Sequence, residues 1–137
     1  MRGSMKRKKN GAAGAGPAAG MKAENGTLRI PVPAELDHHS AEQICARADE
    51  LVRTRDIREI IFDFSATVFC DSSGIGMLMG RYKIMQALGG TVKAVQVRGR
   101  VERILMLSGV MKVIPVERMQ GGEEQWGMRC VWNSTVF

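Results

Sequence analysis

Cysteine is scarce in this chain of 137 residues, and the three that occur, Cys45, Cys70 and Cys130, form no spaced motif. An odd, scattered set fits a reducing compartment better than a disulfide framework, so reduced, partly buried thiols are expected. Long apolar runs are also missing. Hydrophobic residues make up 45% of the chain, yet none of their runs approaches the roughly 20 residues that span a bilayer. The basic stretch Lys6–Lys9 is followed by glycine and alanine instead of the apolar core of a signal peptide. A cytoplasmic protein without a membrane partner is therefore expected. Histidine is limited to the adjacent pair His38 and His39. Neighbouring imidazoles point in different directions, so with Asp37 they make a poor metal site.

Acid is absent from residues 1–22, which hold six bases, and this accounts for the whole net charge of +6. The remaining chain is balanced, with no hint of the basic face that a specific nucleic-acid site needs. Gly11–Gly20 offers little to bury, so residues 1–20 read as a disordered basic Gly/Ala-rich tail or leader. Residues 21–137 then form one small domain.

Within that domain the apolar periods alternate between strand and helix. Asn25-Gly26 is a hairpin signal joining Met21–Glu24 to Thr27–Val32. Pro31 and Pro33 place the second strand at an edge or end it early. Ser40 and Gln43 suggest a capping box for a helix from Ala41 to Arg55. Glu59–Phe64 reads as a buried central strand, and Ser73–Leu88 as a helix stopped by Gly89-Gly90. Thr91–Val97, Val101–Leu107 and Val113–Val116 follow as strand, helix and short edge strand. The result is an α/β fold with parallel neighbours. From Gly121 onward the reading is split: Glu123–Gln125 suggests a helix start, whereas Trp126, Met128, Cys130 and Trp132 recur as in a strand.

The chemistry concentrates in Val68–Gly74, where an apolar run meets Asp71, Ser72, Ser73 and a glycine. A serine nucleophile would need a base and an orienting group, and only His38, His39 and Asp37 could serve. The glycine-flanked elbow of α/β hydrolases is missing, because Cys70 and Asp71 precede the serine. A serine at a helix N-terminus is alternatively a good phosphoacceptor, since the N–H groups and the dipole tolerate an anion. One serine could equally cap the helix, and pattern alone leaves these readings open. On the same helix Gly76, Met77, Gly80 and Ile84 form a second stripe, which either packs inside the fold or docks a partner.

Four stretches, Glu35–Glu42, Asp71–Gly76, Gly80–Lys83 and Ser108–Val110 with Lys112, closely resemble the STAS domain of anti-anti-sigma factors, and in particular its sporulation branch. The resemblance runs in register from Leu28 to Val116. It implies a mixed sheet with helices packed on one side and no enzymatic activity. It also implies phosphorylation at Ser72, by a serine kinase that is itself the anti-sigma factor, with ATP and Mg²⁺ bound by that kinase and no cofactor here. A PP2C-type phosphatase would reverse the modification. The partner-binding surface implied comprises Glu35, Asp37, Asp71, Ser72, Ser73, Gly74, Gly76, Met77 and Gly80. Binding would release a sporulation sigma factor; a STAS module of general stress control or of a transporter is the alternative. Trp126–Phe137 departs from the family's final amphipathic helix.

Overall fold

The computed structural model describes Gly16 and residues 18–119. Seven strands and three helices are found there: β1 (Lys22–Glu24), β2 (Thr27–Pro31), β3 (Glu35–Leu36), α1 (His38–Thr54), β4 (Glu59–Asp63), β5 (Phe69–Cys70), α2 (Ser72–Ala87), β6 (Thr91–Val97), α3 (Gly99–Ser108) and β7 (Val116–Arg118). The main sheet runs β1-β2-β4-β6-β7. Its first pair is the antiparallel hairpin, turned by Asn25 and Gly26 at positive φ, and its other pairs are parallel. A helix supplies each parallel crossover, as such connections require.

Side-chain alternation decides which face is covered. Leu28, Ile30, Ile60, Phe62, Val92 and Ala94 are buried against the helices, whereas their neighbours Arg29, Ile61 and Lys93 are not. Cross-strand ion pairs dress the uncovered face, Arg29 with Asp63 and Lys93 with Glu117. The mixed α/β class read from the sequence is the one observed.

Several boundaries move. Pro31 ends β2, but the strand is interior, and β1 is the edge. Helix α1 begins at His38, three residues before the expected Ala41, because Asp37 and not Ser40 is its N-cap. The capping box is Asp37 with Ser40: Asp37 Oδ1 accepts the Ser40 N–H at 2.9 Å, and Ser40 Oγ accepts the Asp37 N–H at 3.0 Å. After α3, Gly109 adopts the left-handed cap, and a single 3₁₀ turn at Val110–Lys112 takes up residues expected to lead into a strand. The last strand therefore starts at Val116, after Pro115. The expected tail, residues 1–20, and the segment from Gly121 lie almost entirely outside the described residues.

One ion pair holds the far edge of the sheet to α3. Glu102 and Arg118 bond to each other with side chains only 11% and 10% exposed. Deleting one member of such a pair strands a buried charge, a loss of about 3–5 kcal/mol. Arg118→Met should therefore lower the urea midpoint sharply, and adding Glu102→Met should restore much of the loss. Equal stability of the single and double variants would refute this coupling.

Candidate functional site

The two residues of β3 and the two of β5 pair as a separate parallel ladder, Glu35 opposite Phe69 and Leu36 opposite Cys70. Each strand runs directly into an aspartate that caps a helix: Leu36-Asp37-His38 into α1, and Cys70-Asp71-Ser72 into α2. The ladder thus sets two helix N-termini side by side. Asp71 N–H donates to Leu36 O at 3.1 Å, and Val68 and Phe69 N–H both reach Ala34 O. Buried Thr67 fastens the same loop from below, its hydroxyl shared between the carbonyls of Val32 and Pro33. Asp71 Oδ1 accepts the Ser73 N–H at 2.8 Å, closing the α2 cap.

The two caps are held by different means. Bonds from Ser40, backbone first and hydroxyl second, keep the Asp37 carboxyl below its ordinary pKa. Its contribution to stability is present above the ordinary carboxylate value and is lost as pH falls through the lowered one. Burial, helped by the charge of Asp71, pushes the Cys70 thiol up to about 11. Cys45 is half-buried and also raised by burial, so both described thiols, neither in a disulfide, are protonated at neutral pH. Cys130 lies outside the described residues.

Ser72 and Ser73 separate clearly. Ser72 is the first residue of α2, exposed, and among the described residues no hydrogen bond ties its hydroxyl. Ser73 is half-buried, and its Oγ lies 3.4 Å from His38 Nδ1. The other nitrogen of that ring faces Glu42 at 3.3 Å. The order serine–histidine–carboxylate is that of a hydrolase relay, but His38 and Glu42 are 75% and 67% exposed. Charge stabilisation in acyl transfer needs preorganised donors in a water-excluded site, and this surface encloses none. Asp37 is occupied by its cap and does not orient the ring, while His39 bonds Gln43. Among the described residues no cluster of three or more His, Cys, Asp or Glu side chains is placed to hold a metal ion.

The glycines and Met77 divide the expected partner surface into two layers. Met77 is 2% exposed and belongs to the core, so its side chain is not part of a docking strip. The pattern left the second stripe open between packing and docking, and the resemblance put Met77 on the partner surface; α2 instead buries Met77 together with Leu78 and Met85. Gly74 is buried too. A β-carbon there would lie 2.5 Å from Cys70 Sγ and 2.7 Å from Leu36 Cδ2. Its lack of a side chain lets α2 start against the β3–β5 ladder. Among the described residues nothing lies within 4 Å of a β-carbon built at Gly76 or Gly80, so they give no steric reason for either glycine. Glu35, Asp37, Ser72 and Gly76 are exposed, whereas Asp71, Ser73 and Gly80 are half-buried.

Sequence reading missed the β3–β5 ladder and the Thr67 fastening, because two-residue strands leave no periodicity. The one usable signal is the repeated pattern of a buried residue, an aspartate and two polar residues, at Leu36–His39 and Cys70–Ser73. Arg81, part of the Gly80–Lys83 motif, pairs with Asp49 at 3.1 Å and joins α2 to α1, so its visible part is structural.

The STAS domain model matches residues 19–120. The chain belongs to the STAS domain family. An anti-sigma F factor antagonist of Paenibacillus polymyxa is 33% identical over 96 residues, which cover 70% of this chain and 82% of that protein. Among solved structures, the anti-sigma factor antagonist SpoIIAA in its unphosphorylated form superposes with a TM-score of 0.65 at 26% identity, covering 81% of this chain and 95% of the other. The Bacillus cell fate determinant SpoIIAA in the phosphorylated form gives 0.59 at 25% identity, covering 80% and 96%. The STAS resemblance read from the sequence is thereby established, and it places Asp71-Ser72-Ser73-Gly74 in the domain.

Two glycine variants of α2 separate packing from surface. Gly74→Ala should cost about 1–3 kcal/mol through overpacking, whereas Gly76→Ala should gain about 0.8–1 kcal/mol of helix propensity. Thermal unfolding of both reads the difference, and equal shifts would refute the layer assignment. Cys70 should also resist iodoacetamide in the folded protein at about pH 8.5, where its thiolate is negligible. Mass spectrometry should find it alkylated only after denaturation; rapid labelling of the native chain would contradict its burial.

Proposed function

We propose that this protein is an anti-sigma factor antagonist switched by phosphorylation of Ser72. The observation that carries the reading is the free, exposed hydroxyl of Ser72 on the first turn of α2, beside the N-terminus of α1. Anions are favoured at such a position, so a phosphate there costs the fold little. Its effect falls on the partner. About −1.5 to −2 charges would join the carboxylates of Glu35, Asp37 and Asp71 on the surface offered to the anti-sigma factor. The resemblance to SpoIIAA in both phosphorylation states supports a switch that works at the surface and leaves the fold in place.

In this reading the anti-sigma factor is a serine kinase that binds ATP and Mg²⁺. The Ser72 oxygen takes the γ-phosphoryl group, its proton departs, and ADP is released. Hydrolysis by a PP2C-type phosphatase returns the hydroxyl and inorganic phosphate. Gly76 and Gly80 let a partner's backbone come close, while Gly74 and Met77 support the loop from beneath. The likeness to the Paenibacillus polymyxa anti-sigma F factor antagonist supports an anti-sigma factor as the partner, and the resemblance read from the sequence favours a sporulation sigma factor as the one released. The protein's own role is binding, in the cytoplasm, with no cofactor.

Incubation with the cognate kinase and Mg-ATP should place a single phosphate on Ser72, read by tandem mass spectrometry. Ser72→Ala should retain kinase binding. Ser72→Asp should weaken it by about 100-fold, as like-charge juxtaposition of roughly 3 kcal/mol implies. Phosphate on Ser73 alone, or equal affinity of the two variants, would overturn the proposal.

A further inference from the structure

Two hydroxyls stand side by side at the start of α2, and a kinase that reaches one meets the other. Their surroundings differ. Ser73 is half-buried, its N–H donates to Asp71 Oδ1 at 2.8 Å, and its Oγ lies 3.4 Å from His38 Nδ1. That contact joins α2 to α1 across 35 positions of sequence. His38 is the first residue of α1, so the β3–β5 ladder that sets the two helix starts together also brings the ring to this hydroxyl. The ring's other nitrogen faces Glu42 Oε2 at 3.3 Å, one turn further along α1. A neutral imidazole donates through one nitrogen and accepts through the other, whereas a carboxylate only accepts. Glu42 therefore takes the Nε2–H, which leaves the Nδ1 lone pair to accept the Ser73 O–H. His39 is turned elsewhere, onto Gln43 at 2.8 Å.

We infer that His38 directs phosphorylation to Ser72 by holding the hydroxyl of Ser73, an inference that rests on the kinase-substrate reading above. In the transfer a serine Oγ bonds to the γ-phosphorus of ATP and the bond from that phosphorus to ADP breaks. The hydroxyl proton passes to a base of the kinase, and ADP departs. At Ser73 this proton is already held by Nδ1, and an incoming phosphoryl group has to displace the ring and approach the Glu42 carboxylate. At Ser72 the hydroxyl is exposed, and among the described residues no hydrogen bond ties it. The choice between adjacent serines is thus built into the substrate. His38 is a specificity-determining residue that acts through Ser73, not a catalytic one.

Ser72→Ala removes the preferred acceptor and makes Ser73 the reporter. With His38 in place, this variant should take phosphate on Ser73 only slowly from the cognate kinase and Mg-ATP. Adding His38→Ala should speed Ser73 phosphorylation by about tenfold, the factor that one hydrogen bond is worth, read by tandem mass spectrometry. His38→Asn, whose amide oxygen can stand where Nδ1 does, should restore the slow rate, and His39→Ala should leave it unchanged. His38 is exposed and Asp37 supplies the α1 cap, so dichroism should be the same for all of these variants. A Ser73 rate indifferent to His38→Ala, or equal for His38→Ala and His38→Asn, would overturn the inference. The contact is also read without a kinase: in nitrogen NMR spectra of the wild-type chain, Ser73→Ala should move the His38 Nδ1 resonance and not those of His39. An unmoved resonance would overturn the inference alone, leaving Ser72 as the acceptor. Absence of phosphate from Ser72 in the wild-type chain would overturn the Ser72 reading and this inference with it.

Discussion

Four residues paired as two short strands determine the geometry of the functional surface. Hydrogen bonds between β3 and β5 bring together parts of the chain more than thirty residues apart. Each two-residue strand runs straight into its capping aspartate, so the ladder fixes where both helices begin. The helices then pack on each other along their length, with Asp49 and Arg81 as one clamp. Without the ladder the two N-termini would be separate surface features. With it, Ser72, Ser73, Asp71, Asp37 and His38 form one polar surface on a rigid base.

The base is apolar and tightly filled. Leu36 and Cys70, paired in the ladder, are both buried, and both press on the position where Gly74 lacks a side chain. Thr67 removes the freedom of the loop between β4 and β5 by satisfying two carbonyls that burial would otherwise leave costly. The exposed hydroxyl of Ser72 therefore sits on backbone fixed from three directions. In the proposed switch, that exposed side chain on an anchored backbone is the group a kinase would find.

Much of this was legible in the sequence where a periodicity was long enough to carry it. The strand Glu59–Phe64, the helix after Ser73 and the strand Thr91–Val97 all follow from apolar spacing, and the Asn25-Gly26 turn from its residue types. Shorter features were not legible. The start of α1 was misplaced because Asp37 and Ser40 are both good caps and only three-dimensional context chooses between them. Spacing left the side of α2 that carries Met77 undecided, because a helix rich in methionine and glycine has almost no amphipathic contrast, and the resemblance then put Met77 on the partner surface. Residue pattern alone left Ser72 and Ser73 interchangeable and only the family resemblance singled out Ser72; the contact of Ser73 with His38 rests on an arrangement fixed by strands too short to predict.

The open glycines of α2 have a mechanical consequence. Gly76 and Gly80 together weaken the helix by about 2 kcal/mol relative to alanine, with no close contact inside the fold that requires them. Local opening is drawn from the least stable elements of a structure, so the first turns of α2 unwind more readily than its alanine-substituted counterpart would. The softness that the two glycines build into α2 lowers the work of local opening along the helix, while the ladder behind its first residue keeps the register to which it closes.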